Sequence, residues 1–154
     1  MHTFGAPQAQ VFGILQMASL TERLLSTPKA AIITTDGAGA SRSIASAMRS
    51  FGRLGRIMIV TGRHTFNAWA DILETFAGIA KGSGRVHYVT PQLVINDLPN
   101  LAGFDAIYVD RVLIGPRFLE ALVALPDTNK RVWVRPKPGQ EKLITQFTPI
   151  SVGG

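Results

Sequence analysis

The sequence predicts an α/β fold built on a parallel sheet. Short apolar runs alternate with amphipathic segments along the chain, and several runs are set off by glycine or proline. A chain of 154 residues, 46% hydrophobic and 17% charged, can bury one core and is too apolar to remain disordered, so one domain is expected. Strands that alternate with helices pair in parallel, because each return crossing needs a helix-length connection.

The elements follow in order. Residues 12–25 place Phe12, Leu15, Ala18, Leu20, Leu24 and Leu25 at rough helical spacing and stop at Ser26-Thr27-Pro28, which predicts a first helix. Ala30 to Thr34 reads as a buried strand and Ser41 to Phe51 as a helix. Arg56 to Thr61 is a second strand set off by Gly52 and Gly55. From Thr65 to Ala80, the residues Phe66, Trp69, Ile72, Leu73, Phe76, Ile79 and Ala80 form the clearest amphipathic stripe in the chain. Arg85 to Val89 and Phe104 to Val109 are further strands, Arg117 to Leu125 is a helix, Arg131 to Arg135 is a fifth strand and Lys142 to Ile150 a sixth. The expected organisation is an N-terminal helical segment at 1–28 packed on the core, an α/β domain at 29–150 and a frayed tail at 151–154. Pro91 to Asn100 is the least regular stretch, and there is no internal repeat.

Cysteine is absent, which excludes disulfides and thiolate metal sites, and three scattered histidines (His2, His64, His87) do not suggest zinc. No run of about 18 apolar residues predicts a membrane span, and the N-terminus lacks the pattern of a secretory leader. A soluble protein of the cytoplasm, or of a host cytoplasm or virion, is the expectation. The net charge of +6 points to an acidic partner. No acidic residue occurs from Gly37 to Ala70, a window that carries Arg42, Arg49, Arg53, Arg56 and Arg63. Lys130, Arg131, Arg135, Lys137 and Lys142 make a second basic cluster. Either cluster serves solvation or contacts nucleic acid.

The segment Ala30 to Arg42, AAIITTDGAGASR, runs from an apolar strand through a glycine loop into a helix, the local layout that holds phosphate. Against the pattern G-x-x-x-x-G-K-[ST], TTDGAGAS keeps Gly39 and Ser41 but has Thr34 for the first glycine and Ala40 for the lysine. Gly37 and Gly39 free the backbone, and the N–H groups around Gly39, Ala40 and Ser41 would face an anion; the competing reading is a tight turn without ligand. Asp110 closes the run FDAIYVD, where an aspartate at a strand end can orient Mg²⁺ together with Ser41; a strand-terminal aspartate is the alternative. Thr61 to Thr65 is a polar loop suited to a phosphate backbone or, equally, to capping a helix through Thr65. Trp69 and Phe76 lie on the apolar stripe and read as core. Alternation sets Trp133 on the opposite face from Val132 and Val134. No G-x-S-x-G elbow supports a hydrolase triad.

Taken in order, the glycine loop, IVTGRHTFNAWADIL, FDAIYVDRVLIGPRFLEALVAL and RVWVRPKPGQ resemble the first RecA-like domain of a superfamily 1 helicase, and more loosely a viral terminase ATPase. The resemblance spans about 30–140 and implies a three-layer RecA-like domain with a mostly parallel sheet of about five or six strands. It implies nucleotide contacts at Gly37, Gly39, Ala40, Ser41, Arg42 and Gln140, with Gln140 sensing the γ-phosphate. Nucleic-acid contacts fall at Arg63, His64, Thr65 and Asn67, metal contacts at Ser41 and Asp110, and ATP with Mg²⁺ is the implied cofactor. Thr34, Ala40 and Arg111 stand where hydrolysis needs glycine, lysine and a water-activating glutamate. The expectation is therefore a degenerate NTPase-like domain, viral or from a mobile element, with weak or absent hydrolysis. It binds DNA or RNA, or assembles through a protein partner or with itself into a larger complex; Arg42 could stand in for the lysine.

DGAGASRSIASAM is also similar to the dinucleotide loop of short-chain dehydrogenases, with Arg63 placed to meet a 2′-phosphate. Thr35 and Ser41 occupy two expected glycine positions there, and the chain has no Tyr-x-x-x-Lys pair. That alternative is an NAD(P)-binding domain without dehydrogenase catalysis. A scaffold that uses the fold only as a platform is the third.

Overall fold

The computed structural model of the chain describes residues 20–34, 40–51, 55–92, 100–128, 130–140 and 145–152. Six strands form one all-parallel sheet: β1 (Lys29–Thr34), β2 (Ile57–Val60), β3 (Val86–Val89), β4 (Ala106–Asp110), β5 (Arg131–Arg135) and β6 (Thr148–Val152). Their spatial order is β3-β2-β4-β5-β1-β6. The helices are α1 (residues 20–26), α2 (Ala40–Met48), α3 (Phe66–Ala77) and α4 (Pro116–Ala124). Two strands, β4 and β5, stand between β1 and β2. The dinucleotide-binding order 3-2-1-4-5-6 keeps those two side by side, so this sheet differs from the one the dehydrogenase alternative requires.

Two apolar layers sandwich the sheet, which makes the domain the three-layer α/β type expected of a RecA-like fold. On one face Ile32, Ile57, Ile59, Ala106, Tyr108 and Trp133 pack against Leu24 of α1, Ile44 and Met48 of α2, and Trp69 and Leu73 of α3. On the other, Met58, Val60, Ile107, Val109, Val132 and Val134 meet Phe118 and Leu122 of α4, together with Leu101, Phe104 and Phe147. Strand alternation sorts the two sets. It also places Trp133 fully buried on the α1 side, where its Nε1 donates to the Leu24 carbonyl at 3.2 Å.

Several boundaries differ from the sequence reading. The stripe predicts α3 through Ala80, yet the helix stops at Ala77 because Gly78 takes the left-handed conformation (φ 68°). The Ile79 N–H then returns to the Leu73 carbonyl at 3.2 Å, a glycine-terminated C-cap that keeps Ile79 buried beyond the helix. Ser151 and Val152, expected as frayed tail, belong to β6 and pair with Ile33 and Thr34. Of the stretch expected as a sixth strand, residues 142–144 lie outside the described residues, as do 12–19 of the first expected helix. Among the described residues, no helix is long and apolar enough to cross a membrane.

Leu24 has no exposed surface and lies in the layer that docks α1 on the sheet. Leu24→Ala should cost about 2–5 kcal/mol, read as a lower denaturant midpoint with an unchanged slope.

Candidate functional site

In an all-parallel sheet the C-terminal strand ends share one edge, where the following loops cluster. Here that edge carries a row of polar side chains on the α2/α3 face, because Thr34, Asp110 and Arg135 share the parity of Ile32, Tyr108 and Trp133 in their strands. Asp110 and Arg135 are register partners in β4 and β5. Thr61, just past β2, is buried as well.

The Asp110 carboxylate is only 4% exposed and its oxygens are engaged. Oδ2 accepts from the indole Nε1 of Trp69 at 3.1 Å, and Oδ1 accepts from the Tyr108 hydroxyl at 2.7 Å. The Arg111 Nε lies 3.3 Å from Oδ1. Trp69 and Tyr108 also meet edge to face, with ring centroids 5.1 Å apart. Burial first, and the adjoining carboxylate second, hold the Tyr108 hydroxyl well above its ordinary pKa, so it keeps the proton it donates. Arg111 adopts a left-handed backbone (φ 53°), a conformation costing a non-glycine residue about 1–2 kcal/mol. Its N–H donates to the Arg135 carbonyl at 2.8 Å, which carries the β4–β5 contact one residue past the strand.

This donor set does not fit a divalent cation. Each Asp110 oxygen already accepts one hydrogen bond, Oδ2 from Trp69 and Oδ1 from Tyr108, and the Arg111 guanidinium lies against Oδ1 as an ion pair. A metal ion would also sit beside the Arg111 and Arg135 charges. Among the described residues no cluster of three metal-ligating side chains occurs. Asp110 acts here as a latch joining α3 to β4.

Arg135 is 3% exposed. Its Nη2 donates to the Thr34 hydroxyl at 3.3 Å, it lies beside the Tyr108 hydroxyl, and its Nε has no hydrogen-bond partner. No described carboxylate forms an ion pair with it.

The remaining sequence candidates divide. Gly37 and Gly39 lie outside the described residues. Ala40 is completely buried at the start of α2, Ser41 is half-buried and Arg42 is exposed. The Arg42 guanidinium lies 5.4 Å from the centre of the Phe76 ring. Phe76 is seven residues along α3 from Trp69, about 10 Å at the helical rise, so this contact holds Arg42 away from Asp110 rather than in a lysine's role. Gln140 is half-buried after the Pro138-Gly139 turn, its N–H bonded to the Lys137 carbonyl at 3.0 Å.

Between β2 and α3, Arg63, His64 and Asn67 are exposed. Thr65 is turned inward: its hydroxyl donates to the Gly62 carbonyl at 2.8 Å and meets the Thr61 hydroxyl at 2.7 Å. The His64 ring folds over Gly62, where a Cβ would lie 2.6 Å from its Cε1. Loop order thus leaves the Arg63 and His64 side chains at the surface while the two threonines brace the turn.

The basic clusters read from the sequence are dispersed by the fold. Arg56 precedes β2 and lies over Phe104, at the opposite sheet edge from Arg63. Lys130 donates to the carbonyls of Ala102 and Phe104, and Arg131 to those of Leu25 and Asp127, so both serve the N-terminal edge. Arg135 is buried, Lys137 is exposed at the C-terminal edge, and Lys142 and Arg53 lie outside the described residues.

No protein-family model matches the sequence, and no curated protein matches it.

Replacing Trp69 by Phe keeps the ring and removes one donor from Asp110. The expected loss is about 1–3 kcal/mol of stability, measured by chemical denaturation. Because the folded Tyr108 holds its proton past the unfolded value of about 10, stability should also fall as pH rises above that point, and Tyr108→Phe should remove this alkaline loss.

Proposed function

We propose that this RecA-like domain binds single-stranded nucleic acid along the C-terminal edge of its sheet and turns over little or no nucleotide. One observation carries the reading. In the described residues of the loops that follow β2, β4 and β5, the exposed ionisable side chains are Arg63, His64, Arg111 and Lys137, and Asp110, at the end of β4, is buried and hydrogen-bonded. A rim with cations outside and its described carboxylate buried behind them attracts phosphates. Asn67, one turn into α3, adds an exposed amide beside the rim.

Three features support binding without efficient hydrolysis. Ala40 puts a buried methyl where a phosphate-binding lysine would stand, the Asp110 oxygens are occupied by Trp69 and Tyr108, and Arg111 replaces a water-activating carboxylate with a cation. Nucleic acid binding needs none of the missing parts, because phosphate contacts depend on charge and position alone.

The test is fluorescence anisotropy with matched single-stranded DNA and RNA oligonucleotides, in EDTA, across a salt series. Affinity should fall steeply with salt, and Arg63→Ala and Arg111→Ala should each reduce the log–log slope by about 0.7–1. Failure to bind either oligonucleotide at low salt would defeat the proposal and leave the domain as a scaffold.

A further inference from the structure

Arg135 poses a physical question that the exposed rim does not answer. A guanidinium is always charged and carries five N–H donors. Taking one out of water without a carboxylate is costly, and a buried donor left unsatisfied calls for an explanation. Arg135 is 3% exposed, has no described ion-pair partner and leaves its Nε unbonded. Its register partner Asp110 does not neutralise it directly, because that carboxylate is turned to Trp69, Tyr108 and Arg111. The guanidinium reaches instead toward β1, where Nη2 meets the hydroxyl of Thr34, the last residue of that strand.

We infer that Arg135 and the Thr34 hydroxyl form a metal-independent seat for one phosphoryl group where β5 and β1 end. The seat adjoins the surface rim of Arg63, His64, Arg111 and Lys137 but differs from it in being buried. Ala40, fully buried at the start of α2, supplies no cation to a phosphate near β1; Arg135 brings one from the neighbouring strand. A phosphoryl oxygen would accept from Nε and from a second guanidinium nitrogen in the fork geometry that arginine presents. Thr34 would contribute its hydroxyl proton once Nη2 turns to the anion. The anion would complete the charge balance that the fold leaves open, with no Mg²⁺ required.

The probe is inorganic pyrophosphate, followed by calorimetry in EDTA on the full chain. The wild type should bind, and Arg135→Met should weaken binding about ten- to a hundredfold, the loss of one or two charge-assisted hydrogen bonds. In parallel, the arginine Nε–H resonances of the wild-type protein, assigned through bonds, should show the Arg135 signal shifting on titration; this readout decides the matter even if Arg135→Met fails to fold. Competition by ATP would assign the phosphoryl group to a nucleotide. Competition by a 5′-phosphorylated oligonucleotide, but not by its unphosphorylated twin, would assign it to a strand end. Absence of pyrophosphate binding, binding unchanged in folded Arg135→Met, or an unmoved Arg135 resonance would each overturn the inference. The rim is judged instead by the salt-dependent oligonucleotide titration of Arg63→Ala and Arg111→Ala, and the seat by the Arg135 resonance, so the two ideas fail separately.

Discussion

Parallel alternation is the constraint on which the rest depends. All six strands end at one edge, and side chains two residues apart share a face. Ile32 and Thr34, Tyr108 and Asp110, and Trp133 and Arg135 are each an apolar or aromatic residue followed by a polar one of the same parity. The core therefore gives way to polar side chains at the C-terminal ends of three adjacent strands, β1, β5 and β4, with Asp110 and Arg135 level in the register and Thr34 further along. A helix-covered sheet has little room for such groups unless they bond one another or a ligand. Asp110 meets the first condition and Arg135 meets it only in part.

That contrast shapes the functional reading. Asp110 sits at a strand end, a position from which an aspartate can hold a metal ion, yet it accepts from an indole of α3 and a phenol of its own strand. The indole ties α3 to β4, the phenol adds a bond within the strand, and the carboxylate stays buried. Arg111 beside it supplies a cation on a left-handed backbone. The chemistry of that corner is anion compensation. The described residues of that edge present Arg63, His64, Arg111 and Lys137 and bury Asp110, and the proposed contact with a polyanion rests on that arrangement.

Much of the fold was legible in the sequence. β5 falls at Arg131–Arg135 as its apolar alternation predicts, and β2 and α3 begin within a residue of expectation. Those segments are punctuated by local signals: Gly55 before β2 and the polar Thr61 to Thr65 turn before α3. The end of α3 was not legible, because Ile79 stays buried after Gly78 has broken the helix and so continues the apolar period. β6 was displaced because its pairing with β1 joins segments far apart in the sequence, and nothing local marks it. The site was less legible. Trp69 reads correctly as core, but its bond to Asp110 spans 41 residues, and only the sheet order brings them together. Arg135 reads as one of a basic surface cluster; a charged residue in an apolar run suggests an exposed position only when one sheet face is open to water. Here β5 lies between β4 and β1 with helices over both faces, so the same alternation buries it.

The central claim is that Asp110 is a structural latch rather than a metal ligand, and the Trp69 indole N–H reports on it directly. In proton–nitrogen spectra of the wild-type protein that resonance should be slow to exchange with solvent and should not move as Mg²⁺ is added to millimolar levels, with or without ATP. A Mg²⁺-dependent shift or loss of the Trp69 signal would mean that the carboxylate leaves its donors for a metal, and would contradict the account.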